Sequence, residues 1–316
     1  LPRTKKYTPK QRLWYIRAKE VVISSGSIER PIVFGNNDTP GVVLASAARE
    51  YLKVYGVLVG KKPLIFTNND SAYETAIEFK KNGILPIILD SRTNPSSEIV
   101  SEAKNMGIDI RFSHVVVAAK GYKKVKSAEI AKISENKKNL EEIKNITCDC
   151  ICVSGFWTPT IHLASQSGNK TKFNNDIDAF VPNKSKQNET TLGSANGIFT
   201  LEETLKKSFE SGYEISKKIT NNENKVTIPQ VAEKKHTTHD KFWCVPLPKG
   251  KTYKRFLDFQ NDVAVSDVEL ALREGYRSIE HVKRYTTLGM ATDQGKTSNL
   301  NGLQLVSSIE NKIVPS

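Results

Sequence analysis

Residues 63–90, PLIFTNNDSAYETAIEFKKNGILPIILD, determine the fold of this chain. The apolar run at 63–67 predicts a buried strand, and the residues after it have the spacing of a helix that ends at Gly83. The run at 86–90 predicts a second strand, which ends at Asp90. Because a strand, a helix and a strand in this order form a unit with parallel strands, the sequence predicts a Rossmann-like α/β fold.

Strands and helices alternate on both sides of this unit. Apolar spacing predicts helices over 44–55, 72–82, 97–105 and 201–219, and strands near 20–23, 108–112, 115–118 and 149–153. Residues 220–241 are polar and lysine-rich with almost no periodicity, and we interpret them as a linker. The linker histidines, His236 and His239, are predicted to be solvated.

The turn between the two strands of the unit lacks the features that bind a dinucleotide. It contains Asn68, Asn69 and Asp70 but no glycine, although phosphate binding needs glycines for a tight turn and close backbone approach. Asp70 would repel a pyrophosphate, whereas Asp90 stands where an acid would meet ribose hydroxyls. We therefore interpret this unit as a degenerate, structural dinucleotide fold.

Composition excludes several classes of function. The chain has 316 residues, a formal net charge of +13 and a pI of about 9.4, and its length suggests two or three domains. The lysines are spread along the chain and accompany no nucleic-acid-binding motif, so we expect no nucleic-acid partner. No apolar run approaches the roughly 20 residues of a membrane span, and no secretory signal is evident, which favours a cytoplasmic protein.

Three of the four cysteines alternate along the chain at Cys148, Cys150 and Cys152. Side chains with this spacing in a strand lie on one face of the sheet, so we predict three buried thiols on one face. Metal sites more often take their ligands from tight turns with CxxC pairs. Cys244 is isolated, and the five histidines lack metal spacing, so no metal site is predicted.

Two turns of small residues indicate a nucleotide site outside the degenerate unit. Ser24, Ser25 and Gly26 follow the apolar strand near 20–23 and resemble the ATG signature of flavoproteins with two dinucleotide-binding folds. The turn LGSANG at 192–197 precedes the helix over 201–219, whose N-terminus would face a cofactor. Ser194 stands where such flavoproteins carry an aspartate, which is compatible with a nucleotide held mainly by backbone contacts.

The segment KRYTTLGMATDQGKTSN at 283–299 precedes a helical pattern that begins at Leu300. Thr297 or Ser298 is predicted to cap that helix, and Lys296 lies beside the cap. A helix N-terminus with a lysine and hydroxyls can bind an anion, while the alternative is a capped surface helix.

The following motifs resemble one family: IERP at 28–31, NDTPGV at 37–42, FQNDV at 259–263, EHV at 280–282 and the segment 283–299. The chain resembles the alpha subunit of heterotetrameric sarcosine oxidase from about residue 19 to about residue 305. The resemblance implies a two-dinucleotide-binding flavoprotein-type fold with an inserted degenerate second dinucleotide fold. The implied domains are a first dinucleotide-binding domain (1–55 and 154–219), the inserted domain (56–153), the linker (220–241) and a small, mostly helical domain (242–316).

The small domain resembles the [2Fe-2S] domain of the bacterioferritin-associated ferredoxin type. Its cluster positions are taken here by Asp258, Gln260, Asp293 and Ser298. Because such clusters need thiolate ligands, we expect no iron–sulfur cluster. Ser266 and Glu269 are predicted to form a capping box in this domain.

The resemblance also implies cofactors and partners. Noncovalent NAD would lie at Ser25, Gly26, Gly193, Ser194, Ala195, Asn196, Gly197, Thr200 and Leu201. FMN would lie at the interface with the beta subunit, near Arg284, Thr287, Gln294, Lys296, Thr297 and Ser298. The beta subunit would hold FAD, and a further domain after Ser316 would bind tetrahydrofolate. The alternative for the residues near FMN is that they only fix the loop.

The implied reaction is oxidation of sarcosine to glycine with oxygen in a complex of alpha, beta, gamma and delta subunits. It would yield peroxide and 5,10-methylenetetrahydrofolate, with no catalytic residue assigned in this chain. We interpret the chain as a fragment whose GxGxxG motif lies upstream, and which is inactive alone. Two alternatives remain: an alpha subunit of another imino-acid or opine dehydrogenase complex, and a noncatalytic nucleotide-binding scaffold.

Overall fold

The computed structural model describes residues 9–220, 227–231 and 238–314. In chain order its first elements are β1 (Val21–Ile23), β2 (Ser27–Glu29), β3 (Val42–Leu44), α1 (Ala45–Tyr55), β4 (Pro63–Thr67), α2 (Ser71–Lys81), β5 (Ile87–Asp90), α3 (Glu98–Asn105), β6 (Asp109–Phe112), β7 (His114–Lys120), β8 (Ser127–Ile133), β9 (Leu140–Thr147) and β10 (Cys150–Ser154). The next are β11 (Trp157–Pro159), α4 (His162–Gln166), β12 (Thr171–Asn174), β13 (Ala179–Pro182), β14 (Glu189–Thr191), a short 3-10 helix (Gly193–Asn196), α5 (Leu201–Thr220), β15 (Phe256–Asp258), β16 (Val263–Ala264), α6 (Val265–Arg273), α7 (Ile279–Thr286) and α8 (Asn299–Ile309).

A parallel sheet with the strand order β3-β10-β4-β5-β6 forms the centre of the protein. Every residue of β4 and β10 is buried, which explains why their sequences are apolar runs rather than alternating patterns. The βαβ unit predicted from residues 63–90 is present as β4, α2 and β5. The α2 bounds differ from the prediction by one residue at each end.

Different layers cover the two faces of this sheet. Helices α1, α2 and α3 cover one face, where Tyr73, Phe79 and Ile88 are fully buried. The antiparallel sheet β7-β8-β9 covers the other face, where Phe34 and Phe66 meet edge to face with 6.0 Å between ring centroids. Since a parallel sheet needs cover on both faces, this architecture confirms the predicted Rossmann-like α/β fold class.

The parallel sheet includes elements that precede residue 56. Strand β3 pairs with β10, and α1 packs against α2 and ends at Gly56, whose left-handed φ of 64° suits glycine. The sheet therefore groups residues 42–55 with the inserted unit. The predicted division into 1–55 with 154–219 and 56–153 remains a prediction.

The remaining part of the first dinucleotide-binding unit has no large sheet of its own. Its strands form separate pairs: β1 is parallel to β14, β2 is antiparallel to β11, and β12 is antiparallel to β13. Helix α5 confirms the helix predicted over 201–219, but none of its residues, all of which are described, is buried. Among the described residues, no helix is long and apolar enough to cross a membrane.

The small domain at the end of the chain has the predicted, mostly helical character. Strands β15 and β16 pair, and α6, α7 and α8 pack over a core that includes Leu257, Val268, Val282, Leu288 and Val306. Val33 of the α/β body joins the same core, so this domain is attached through apolar contact.

The capping box predicted at the start of α6 is wrong. The helix begins at Val265, so Ser266 already lies in its first turn and is exposed. The Asp267 carboxylate instead accepts a hydrogen bond from the Ala264 amide at 2.8 Å, and Glu269 pairs with Arg255. The cap is therefore supplied from inside the helix by an acid, which also suits the helix dipole.

The cysteines are free thiols, as predicted, but they do not share one face. Cys150 and Cys152 lie in β10 and pack with the helical layer. Cys148 lies before the strand and packs on the opposite side, with the layer of β7, β8 and β9. The chain bends between them at Asp149, whose carboxylate accepts the Lys61 and Lys62 amides at 2.8 and 2.7 Å. Period-two spacing therefore does not extend back to Cys148.

Candidate functional site

The turn after β4 uses its polar side chains to bind the protein itself. Asn68 donates hydrogen bonds to the carbonyls of Asp240 and Phe242, at 2.8 and 3.3 Å. Asn69 donates to Ser154, and its own oxygen accepts the Ser71 amide at the start of α2. These side chains lie where glycines would admit a pyrophosphate, and their hydrogen bonds hold the turn to neighbouring segments of the chain.

Arg92 closes the carboxyl end of the parallel sheet. Its guanidinium lies 2.8 Å from the Asp70 carboxylate and 2.7 Å from that of Asp90, and all three side chains are buried. Tyr73 donates a hydrogen bond to Asp90 at 2.7 Å, while the amide and hydroxyl of Thr238 donate to Asp70. Burial lowers the pKa of Arg92, but hydrogen bonds and charges from Asp90 and Asp70 outweigh it and raise that pKa. The acid predicted to meet ribose hydroxyls is therefore occupied by an internal ion pair.

The end of the predicted linker lies against this closed edge. The His239 ring stacks flat on Phe156 with 4.0 Å between ring centroids, and its Nε2 is 3.4 Å from the Asp178 carboxylate. Its side chain is only 8% exposed, so the prediction of a solvated His239 is wrong. His236 lies outside the described residues. The burial of His239 could not be predicted from the linker sequence, because its partners Phe156 and Asp178 are remote in sequence and reach it only through tertiary packing.

The two turns predicted to bind a nucleotide lie side by side. Strands β1 and β14 are parallel, and the Leu192 amide donates to the Ile23 carbonyl at 2.9 Å, so both turns follow the same edge. A methyl group on Gly26 would lie 4.0 Å from the Ser194 hydroxyl. Ser25 is exposed and donates to the Thr160 carbonyl at 2.7 Å. The structure therefore brings these turns together at an open edge.

The other residues of the predicted nucleotide site differ in burial and in their contacts. Ala195 is fully buried, and a methyl group on Gly197 would lie 2.8 Å from Ile177. The Thr200 hydroxyl accepts the Glu203 amide at 3.4 Å in the first turn of α5. Leu201 is half exposed at 51%, and Asn196 is exposed. Gly193 has a φ of 62° and begins the 3-10 helix, so it shapes the turn beside Ser194.

Glu29 and Arg30 of the IERP motif are buried charges that connect separate segments of the chain, which was not predicted from the sequence. The Glu29 carboxylate accepts the Ser46 amide and hydroxyl, at 2.8 and 2.6 Å, at the start of α1, and burial raises its pKa. Arg30 donates to several backbone carbonyls, including that of Asp178, and its guanidinium lies 4.2 Å from the Trp243 ring centroid. The available signal was a pair of adjacent opposite charges inside an apolar segment, because such buried charges require partners.

Asp258 ties together the two loops that resemble cluster-binding loops. Its carboxylate accepts the amides of Gln260 and Asn261, at 2.9 and 3.2 Å, and that of Gly289 at 2.7 Å. Asp293 accepts the Gly295 amide at 3.1 Å. In the described part of the chain, no group of three or more histidine, cysteine or acidic side chains could hold a metal ion.

The residues predicted to line an FMN interface differ in their exposure to solvent. Arg284, Thr287, Gln294 and Lys296 are exposed, whereas Ser298 is buried. The Ser298 hydroxyl has no hydrogen-bond partner within the described residues, so the predicted side-chain cap of α8 is wrong. The reason is conformational: Ser298 already has helical φ and ψ angles of −112° and −36°, whereas a capping residue is normally extended.

Part of the loop before α8 is fixed by Asn299. Its side chain donates to the Gln294 carbonyl at 3.1 Å, and a methyl group on either Gly289 or Gly295 would overlap it. Both glycines have positive φ angles, 67° and 69°. Thr287 also has a positive φ and its carbonyl accepts a hydrogen bond from Asn261. These contacts favour the alternative that much of the segment fixes the loop.

Lys296 and Thr297 line different cavities. Thr297 lines a cavity of about 380 Å³ with Phe259 and residues of β3. Lys296 lines one of about 420 Å³ between the end of β11 and helices α7 and α8. His162 also lines the cavity of about 420 Å³, and burial together with the charge of Lys296 lowers the pKa of His162. This cavity is called the β11–α8 cavity below.

These features define a class of protein. The chain combines a Rossmann-type α/β body, one dinucleotide edge closed by an internal ion pair and one left open, and a small helical domain without thiolate ligands. This combination defines a Rossmann-type α/β protein with an added small helical domain.

Comparison with known proteins identifies one matching family and several similar proteins. Residues 252–316 match the family described as the sarcosine oxidase A3 domain. The sarcosine oxidase subunit alpha of Corynebacterium sp. (strain P-1) is 33% identical over 306 residues, which are 95% of this chain and 31% of that protein. The sarcosine oxidase subunit alpha of Rhizobium meliloti (strain 1021) is 35% identical over 308 residues, 95% of this chain and 29% of that protein. The predicted resemblance to these alpha subunits is therefore confirmed.

The fold has a counterpart among solved structures. L-proline dehydrogenase from P. horikoshii superposes with a TM-score of 0.55 and 22% identity, over 94% of this chain and 54% of that chain. At this identity the likeness concerns the fold alone. The chain spans less than a third of the length of the two alpha subunits it matches.

Proposed function

We propose that this chain is the nucleotide-carrying part of an alpha subunit in a complex that oxidises sarcosine. The observation that carries the proposal is the open edge where Ser25 and Gly26 meet Gly193 and Ser194, beside an inserted unit whose own edge is closed by Arg92. Noncovalent NAD would bind at the open edge. The two named relatives are subunits of a sarcosine oxidase, which supports an oxidoreductase complex rather than a noncatalytic scaffold.

In this proposal the complex converts sarcosine and oxygen to glycine and peroxide and passes the one-carbon unit to tetrahydrofolate. The beta subunit would hold FAD and share FMN with this chain, and gamma and delta subunits would complete a cytoplasmic assembly. Tetrahydrofolate would bind a further domain of the alpha subunit. Because the residues proposed here bind nucleotide rather than amine, the 316-residue chain is expected to be inactive alone.

The first test concerns NAD. The full-length alpha subunit is expected to release NAD on denaturation, detected by mass spectrometry of the supernatant, and sarcosine is expected not to reduce it. Gly26→Ala is expected to lower the NAD content, because a methyl group there restricts close backbone approach to the nucleotide. Gly250→Ala is the matched control, since Gly250 has the same φ of 75° and no atom within 4 Å of the added methyl.

Two outcomes would contradict this assignment. Equal NAD content in both variants would remove the Gly26 turn from the site. FAD in the supernatant in place of NAD would favour an alpha subunit of an imino-acid or opine dehydrogenase complex.

The second test concerns FMN. Lys296 is exposed and forms no ion pair within the described residues, so its ammonium is available to a flavin phosphate. Lys296→Met in the complex is expected to weaken FMN retention or slow electron flow to oxygen, because a charge-assisted hydrogen bond contributes about 1.5–3 kcal/mol. Reduction of the FAD by sarcosine is expected to survive, and stopped-flow spectra separate the two flavins. Lys312→Met, at the other end of α8, is the control.

If FMN content and both half-reactions are unchanged in Lys296→Met, this lysine is only a solvated loop residue. If the subunits fail to assemble without a flavin defect, the small domain acts as a scaffold.

A further inference from the structure

The β11–α8 cavity has the dimensions of a small-molecule site. Its volume of about 420 Å³ falls within the range of roughly 300–1,000 Å³ usual for ligand pockets. Its apolar wall is formed by Pro159, Ile161, Phe180, Ile279, Leu300 and Leu303. It lies where the first dinucleotide unit meets the small domain, and junctions between domains commonly hold ligands.

The polar groups of this cavity favour an anion. Lys283 and Lys296 line it, and neither forms an ion pair within the described part of the chain. His162 also lines it, and the Nδ1 of this imidazole is buried without a hydrogen-bond partner among the described residues. Glu280 is the single acidic group in the lining, so positive charge is in excess. A carboxylate in this cavity would gain charge-assisted hydrogen bonds from the two lysines, and the imidazole donates from the ring nitrogen that carries its proton.

We propose that the β11–α8 cavity binds a small organic monoanion with an apolar body, such as an aromatic carboxylate. The carboxylate would lie between Lys283, Lys296 and His162. The apolar body would lie against Ile279, Leu300 and the other apolar side chains of the wall, where its burial contributes to binding. The walls would exclude a large, highly charged ligand, because only part of the lining is polar.

This inference does not depend on NAD or on the substrate of the complex. It shares Lys296 with the proposed FMN interface, so Lys296 is not used to test it. Two adjacent basic residues provide a test variant and its control. Lys283 lines the cavity, whereas Arg284 does not and is exposed on α7. The FMN proposal includes Arg284 and omits Lys283.

The test is calorimetric titration of the 316-residue chain with 2-naphthoate and with its neutral counterpart 2-naphthamide. Naphthoate is expected to bind at least about tenfold more tightly, since a charge-assisted hydrogen bond has that effect on affinity. Lys283→Met is expected to weaken naphthoate binding about tenfold and to leave naphthamide unchanged. Arg284→Met is expected to leave both unchanged. Thermal unfolding confirms that both variants fold.

Equal affinities for the acid and the amide would overturn the proposal. So would equal losses in the Lys283 and Arg284 variants, which would indicate nonspecific attraction to a basic protein, or no loss in the Lys283 variant. FMN content of the complex separates the proposals, because Lys283→Met is expected to retain FMN even where naphthoate binding is lost.

Discussion

Replacing Arg92 by methionine is expected to lower the free energy of unfolding by about 3–5 kcal/mol, since removal of one partner leaves buried charge uncompensated. Arg92 lies between Asp70 and Asp90, whose side chains are 5% and 0% exposed. Both carboxylates would remain buried without a counterion. Chemical denaturation monitored by circular dichroism measures the change.

Arg111→Met is the matched control for this prediction. Arg111 pairs with Asp109 at 2.9 Å, but both side chains are more than a third exposed, so the expected loss is below about 1 kcal/mol. Arg92→Lys is expected to fall between the two, because one ammonium cannot contact both carboxylates with the geometry of a guanidinium. Similar losses for Arg92→Met and Arg111→Met would mean that the buried cluster does not close the sheet edge.

The closed edge illustrates how far the sequence could predict the fold. Lack of glycine in the turn at 68–70 was a local signal for a degenerate unit, and the polar side chains of that turn do bind the protein itself. The partners of that turn could not be predicted, because Thr238 is 168 positions along the chain from Asp70 and Asp240 is 172 positions from Asn68. Such contacts depend on tertiary packing, which leaves no periodic signal in the linker.

Helix starts could be predicted from the sequence, whereas helix caps could not. The starts of α2 and α8 were predicted to within one residue, because apolar periodicity reports the buried face of a helix. The caps at Ser266 and Ser298 were wrong because a hydroxyl in the right position need not make the bond. Ser298 is buried by neighbouring structure, and its position at a helix start did not determine its hydrogen bonding.

The candidate nucleotide edge combines predictable and unpredictable parts. The turns at Ser25-Gly26 and Gly193-Ser194 were predicted as parts of one site, because small residues after strands permit close approach. Their geometry follows from parallel pairing of β1 with β14, which single-sequence patterns do not specify. Gly197 was included for the same small-residue pattern, although packing against Ile177 accounts for it.

Asp258 leads to the second large expected effect. Asp258→Ala is expected to lower the free energy of unfolding by about 2 kcal/mol or more, because the buried Gly289 amide would lose its partner at about 1–3 kcal/mol and two part-buried hydrogen bonds would be lost at about 0.5–1.5 kcal/mol each. The donors are the amides of Gln260, Asn261 and Gly289, all within hydrogen-bonding distance of this 3% exposed residue. The Gly289 bond joins two loops that are far apart in sequence, so its loss is expected to loosen the small domain.

Asp293→Ala is the comparison within the same domain, because among the described residues the Asp293 carboxylate accepts only the Gly295 amide. Its loss is expected to be about 1 kcal/mol. Hydrogen exchange at Gly289 adds a local measurement: its amide is expected to exchange faster in Asp258→Ala and to remain protected in Asp293→Ala. A carboxylate that holds both loops makes a metal cluster unnecessary for their arrangement, so iron and sulfide are expected not to restore Asp258→Ala. Equal stability of the two variants, or protection of Gly289 in both, would show that the loops are held by packing around Leu257 and Leu288 instead.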